Sequence, residues 1–289
     1  MIFKKDFAWG AATASYQNEG GMNADGKGLS IWDVFTHEKG RVADGTNGDV
    51  ACDQYHRIEE DIDIMKELSM NAYRFSLSWP RIMPEGNGQV NEKGLDFYDR
   101  MVDSLLERGI TPYITLFHWD LPYELYLKGG WLNPDMPEWF AEYTLAVMNR
   151  LSDRVDHWIT QNEPQCYIGS GMASGIHAPG LKMNKKDCLQ AAHNSLLAHG
   201  RSIQAIRAEA RKTPVIGYAP AAWWLWSPVS DDPADIEACR KQTFCADEDQ
   251  VGGSAWWMDP VFLGKYPESA VKIVEEYMPR IGQGDMKLI

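Results

Sequence analysis

The stretch 112-PYITLFHWDLP-122 decides how the rest of the chain is read. A β-prone, mostly apolar run reaches Phe117 and then stops at a histidine, a tryptophan and an aspartate, side chains suited to a binding site. Other runs end the same way. The segment 7-FAWGAATA-14 leads to Gln17, 72-AYRFSLSW-79 closes on Ser78 and Trp79, and 155-VDHWIT-160 leads to Asn162 and Glu163. A fifth β-rich run is 214-PVIGYAPA-221.

Helical periodicity fills the intervals. In 53-DQYHRIEEDIDIMKELSM-70, Tyr55, Ile58, Ile62, Met65 and Leu68 step by three or four and form one apolar stripe. In 94-GLDFYDRMVDSLLERG-109, Leu95, Tyr98, Val102 and Leu105 point inward and Gly109 is the stop. Further helices are expected over 137–151 and from Lys185 to Arg211. Unbroken strand-helix alternation implies parallel strands joined by right-handed crossovers, in an open doubly wound sheet or a (β/α)8 TIM barrel. Polar and aromatic residues crowding the C-terminal strand ends favour the barrel. No GxGxxG or GxxxxGKS loop follows any strand, as a nucleotide-binding open sheet would require. The expectation is an α/β fold and a single domain over residues 1–289, an incomplete barrel showing its first five strands, with 20-GGMNADGKG-28 as a rim loop.

The composition, 44% apolar with 11% aromatic, suits a packed globular core. Acids outnumber bases 41 to 28, and a net charge of −13 argues against nucleic acid or an anionic membrane surface as partner. Cys52, Cys166, Cys188, Cys239 and Cys245 form neither a CxxC pair nor a zinc spacing, and their odd number does not suit a full disulfide framework. They read as reduced thiols. No secretory h-region and no membrane-length apolar run is present, so a cytoplasmic location is expected.

Glu163 lies just past a β run, where a barrel places catalytic groups, although a plain loop acid or a capping partner fits the position as well. Its surroundings suit sugar chemistry. Glycoside hydrolysis needs a carboxylic acid to protonate the leaving oxygen. Planar amides pair with hydroxyls, and aromatic faces cover the apolar side of a pyranose. Gln17, Trp79, His118, Trp119 and Asn162 supply that mixture, while each alone has a structural reading as packing or as a hydrogen-bonded core group. The acidic run 246-ADEDQ-250 reads as solvated, and no Hx(E)xH or paired His/Asp constellation suggests a metal.

Four ordered segments, 7-FAWGAATASYQNEGG-21, 48-GDVACDQYHRIEEDIDIMKELSMNAYRFSLSWPRIMPEG-86, 117-FHWDLP-122 and 158-WITQNEP-164, resemble the successive signatures of glycoside hydrolase family 1, the β-glucosidase family. The match covers most of residues 1 to 225, and 259-DPVFLGKYPES-269 resembles the family's segment before strand six. The resemblance implies a TIM barrel and a retaining mechanism on β-glycosides, without cofactor, and the expected substrates are β-glucosides such as cellobiose and aryl β-glucosides. Residue by residue, it implies Glu163 as general acid/base, Arg74 as support for the nucleophile, and Gln17, His118, Trp119 and Asn162 as sugar-holding residues. Two local departures stand out: Gln165 follows NEP where relatives often carry tryptophan, and 18-NEGG-21 replaces an apolar residue followed by EGA.

A retaining enzyme needs a second carboxylate about 5 Å from the first. The family's nucleophile is the glutamate of a TENG-like motif, and a later EW motif binds the distal hydroxyls; neither occurs in these 289 residues. Past residue 221, Glu237, Glu248, Glu268, Glu275 and Glu276 have no β run before them, and 268-ESAVKIVEEYMPRI-281 reads as one amphipathic helix. The reading is an N-terminal part of a β-glucosidase lacking its nucleophile, which self-associates or needs a complementary C-terminal chain. The alternatives are an inactive carbohydrate-binding or partner-dependent fragment, or an unrelated barrel glycosidase with its own NEP segment.

Overall fold

The computed structural model describes residues 3–4, 6–221, 225–244 and 253–289. The run 246–250, with Glu248, and Cys245 lie outside the described residues. In chain order the elements are β1 (Gly10–Ala12), α1 (Ser15–Asn18), α2 (Ile31–His37), α3 (Gln54–Glu67), β2 (Ala72–Ser76), α4 (Trp79–Ile82), α5 (Glu92–Glu107), β3 (Thr111–Phe117), α6 (Tyr123–Leu127) and α7 (Met136–Leu151). They continue with β4 (His157–Asn162), α8 (Lys185–Glu209), β5 (Val215–Ala219), α9 (Pro233–Thr243), α10 (Ser254–Leu263), α11 (Glu268–Ile273) and α12 (Asp285–Leu288).

The five strands form one sheet in the order β1-β2-β3-β4-β5, parallel as the alternating pattern requires. Register sets Gly10 against Ala72, Tyr73 against Pro112 and Phe117 against Gln161. A Cβ at Gly10 would stand 2.2 Å from the Ala72 carbonyl oxygen, so β1 can approach β2 only with glycine there. Tyr73, Phe75, Ile114 and Leu116 are buried, as in parallel strands covered on both faces.

The chain divides into two compact units. The first comprises Met1–Gly130, Glu138–Gln161 and Ser202–Tyr218. Its core packs Ile62, Phe97, Tyr98, Val102 and Leu105 from α3 and α5, with Phe140, Tyr143 and Val147 from α7. Arg150 on α7 and Arg154 in the turn just after it pair with Asp96, Asp99 and Asp103 on α5, forming a ladder of ion pairs.

The second unit comprises Trp131–Pro137, Asn162–Arg201 and Ala219–Ile289. Here buried His193 on α8 bonds through Nδ1 to Tyr266 Oη (2.8 Å) and through Nε2 to Asp285 Oδ2 (2.9 Å), tying α12 and the turn after α10 to one helix. Trp256 packs against Tyr266 with ring centroids 4.4 Å apart and planes tilted by 31°. A Cβ on Gly200 would meet the Leu288 carbonyl oxygen at 2.3 Å, so α8 offers a bare backbone to the C-terminal residues.

Three expectations are corrected. The first β run pairs only over Gly10–Ala12. Leu68 is 63% exposed, because α3 ends at Glu67 and the apolar stripe ends with it. Residues 268–281 are not one helix: α11 stops at Ile273, buried Val274 turns out of helical geometry (φ −110°, ψ 21°), and a single 3-10 turn follows over Glu275–Tyr277. Pro279 then holds Met278 extended at ψ 137°.

Candidate active site

In the first unit, the turn after β1 becomes α1, anchored where the Ser15 N–H donates to Ser76 Oγ at 2.8 Å. This presents Gln17, exposed, at the mouth of a recess of about 340 Å³. Tyr16, Trp32, Asn47, His118 and Trp119 also line it. Trp119 has φ 77°, a left-handed backbone that costs an aromatic residue roughly 1–2 kcal/mol. In that conformation its ring stacks on Trp32 at 6.4 Å with 26° between planes. Strained non-glycine backbone of this kind concentrates at functional sites.

Arg74, half-buried in β2, donates from Nε to Thr115 Oγ1 at 3.0 Å. Burial, and then the Arg74 charge, push the His118 imidazolium down to about 4. His118 is therefore a neutral ring at neutral pH, able to donate from one nitrogen and accept at the other, as a sugar hydroxyl requires.

In the second unit, Asn162 is the buried last residue of β4 and Glu163 follows it, half-buried, with φ 45°. Two backbone bonds hold this left-handed residue: Glu163 N–H donates to Ala219 O (2.7 Å) and Cys166 N–H donates to Glu163 O (2.8 Å). The Cys166 thiol lies 3.7 Å from Glu163 Oε2. Burial and the neighbouring carboxylate push that thiol up to about 12, so it stays protonated and donates. Gln165, which stands where relatives often carry tryptophan, is buried. Its amide donates to Ala221 O (3.1 Å) and accepts from Ala221 N–H (2.9 Å), so it acts as a rung between backbones.

Gln17, His118 and Trp119 thus converge on one recess with Arg74 felt at His118, and Asn162 and Glu163 share the end of β4. Of the two readings of Trp79 the packing one holds: it is fully buried, stacks on Tyr143 at 4.9 Å and donates from Nε1 to Gly86 O. The stretch 20–28 is a loop with one 3-10 turn, tied down where Arg81 donates to the Gly20 carbonyl and Gly28 N–H to Pro80 O. Sequence reasoning missed Tyr16 and Trp32. The available signal was aromatic content next to Gln17 and in α2, too common to single them out. Among the described residues no cluster of three or more His, Cys, Asp or Glu is arranged to hold a metal ion.

The first unit thus offers neutral hydrogen-bonding side chains beside aromatic walls, and the second a carboxylate at a strand end. The family model described as Glycosyl hydrolase family 1 matches residues 1–289. The chain is 48% identical to "Beta-glucosidase A" of Acetivibrio thermocellus over 291 residues, covering 100% of this chain and 63% of that protein. It is 46% identical to "1,4-beta-D-glucan glucohydrolase" of Thermotoga neapolitana, covering 99% and 65%. Among solved structures, "Beta-glucosidase from Thermotoga maritima in complex with glucoimidazole" superposes with a TM-score of 0.88 at 45% identity, covering 99% of this chain and 63% of that one. The chain belongs to glycosyl hydrolase family 1. It spans somewhat less than two thirds of the length of these relatives.

Proposed function

We propose that this chain supplies the acid/base and sugar-holding part of a retaining β-glucosidase acting on terminal β-D-glucosyl residues, with the nucleophilic carboxylate coming from outside these 289 residues. One observation carries the reading: in a family 1 chain, Glu163 stands immediately after β4 in a strained, doubly anchored backbone position with the amide of Asn162 beside it in sequence. In this mechanism Glu163 protonates the glycosidic oxygen as the bond to the aglycone breaks. It then takes a proton from the water that releases the sugar from its covalent ester. Gln17, neutral His118 and Asn162 bond the sugar hydroxyls, Trp119 covers a ring face, and Arg74 orients the incoming nucleophile.

The character of the N-terminal motifs favours an unphosphorylated glucoside. The sheet ends in β1 and β5, and an end strand presents unpaired backbone groups. Cover by a complementary chain, or by a second copy, follows from the same reading.

The test is a chimera of residues 1–289 joined to the remaining C-terminal portion of the Acetivibrio thermocellus relative. It should hydrolyse aryl β-glucosides. Glu163→Gln should slow release of the sugar from the enzyme by about 10²-fold or more, and azide, which needs no general base, should restore turnover as glucosyl azide. An active chimera whose Glu163→Gln variant is unimpaired, or unaffected by azide, would remove Glu163 from this role.

A further inference from the structure

We propose that Asp120 is a positioning residue that locks the His118-Trp119 corner to the turn bearing Gln17. This rests on the sugar-holding role proposed above for those three residues. Asp120 follows Trp119 directly and is 1% exposed, too deeply sealed to touch a substrate. Its Oδ2 accepts a hydrogen bond from Ser15 Oγ at 2.7 Å. Ser15 opens α1, two residues before Gln17, and its N–H donates to Ser76 Oγ, which itself lies 3.2 Å from Ser15 Oγ. One chain of bonds therefore links the ends of β1, β2 and β3, three neighbours in the sheet.

The other oxygen, Oδ1, has no hydrogen-bond partner among the described residues. Asp120 also lines a chamber of about 10 Å³ together with Glu19, Lys27, Ser30, Asp33 and Ser78, room for no more than about one water. The chamber cannot admit a sugar, so the carboxyl acts through Ser15 and its own backbone. That backbone matters because Trp119, held at φ 77°, relaxes to ordinary geometry unless its neighbours over-determine it. The Asp120 bond is the anchor immediately after the strained residue. Burial pushes this carboxyl up to about 8, so it is a neutral acid at neutral pH and an asparagine copies its shape and its acceptor.

The experiment compares wild type, Asp120→Asn, Asp120→Ala and Ser15→Ala as 289-residue chains, reading diethyl pyrocarbonate modification of His118 by peptide mass spectrometry. His157, at the opening end of β4, serves as internal reference. The proposal expects His118 to react at least fivefold faster in Asp120→Ala and Ser15→Ala, within twofold of wild type in Asp120→Asn, with His157 unchanged throughout. Should Asp120→Ala fail to fold, Ser15→Ala carries the test. Unchanged His118 reactivity in both, or equal acceleration at His118 and His157, overturns the proposal. In the chimera, Asp120→Ala should weaken deoxynojirimycin binding about tenfold and Asp120→Asn less than twofold. An inactive chimera would count against the hydrolase reading alone, since the labelling arm needs no turnover.

Discussion

At the scale of single residues, two buried titratable groups near the recess pull stability in opposite directions with pH. Burial raises Asp120 to about 8 from an ordinary 3.8, opposed only in part by the Ser15 bond. The folded state then holds a proton that the unfolded chain releases, so stability falls as pH rises from about 4 toward 8. Asp120→Asn has no such loss: it should match wild type near pH 4 and exceed it by on the order of 2 kcal/mol at pH 9, read from guanidinium unfolding at both values. His118, pushed down to about 4, behaves in reverse. Its contribution is intact above the ordinary 6.5 and is lost as pH falls toward 4, so His118→Gln should flatten the acid side of the stability profile. Trp79 was open to two readings from sequence because an aromatic at a strand end serves packing and sugar stacking alike. Its Tyr143 stack and full burial put Trp79→Ala at a cost of roughly 3–5 kcal/mol.

At the scale of elements, what was legible followed from period. The alternation of β runs and apolar stripes located all five strands and the helices α3, α5, α7 and α8, with the helix boundaries shifted by a few residues at most. The misses have local causes. Leu68 keeps the spacing of its stripe but falls one residue past the end of α3, and Val274 breaks its segment because backbone geometry and Pro279 override amphipathic spacing. The bonds of Gln165 were not legible, because one letter cannot show an amide bonded at both ends to Ala221. Left-handed backbone at Trp119 and Glu163 left no trace in residue type, since neither is the glycine or asparagine that announces it. The His193 clasp on α12 has a testable consequence. Burial alone would raise the Asp285 carboxyl, but bonds from His193 and the Gly282 N–H outweigh it and hold the group below its usual range. The clasp therefore contributes above the ordinary carboxylate value and is lost as pH falls through the lowered one. His193→Phe should speed amide hydrogen exchange across Asp285–Leu288 at neutral pH by tenfold or more, with α5 unaffected.

At the scale of the whole molecule, the family was legible because four distinctive motifs follow one another in order along the chain. The chain's five-stranded sheet ends in β1 and β5, and Val215 on β5 is 56% exposed. Exposed edges and apolar side chains favour association. Sedimentation of the purified chain should show dimers or larger species at micromolar concentration; a monodisperse monomer with one cooperative melting transition would count against edge-driven association. The central claim, that these residues carry the acid/base but not the nucleophile, is tested most directly by nitrophenol release from an aryl β-glucoside. The 289-residue chain, its Glu163→Gln variant and the chimera are assayed side by side. The chimera should release nitrophenol, and the chain and its variant should not. Turnover by the chain alone that Glu163→Gln abolishes would contradict that claim, placing a nucleophilic carboxylate within these residues.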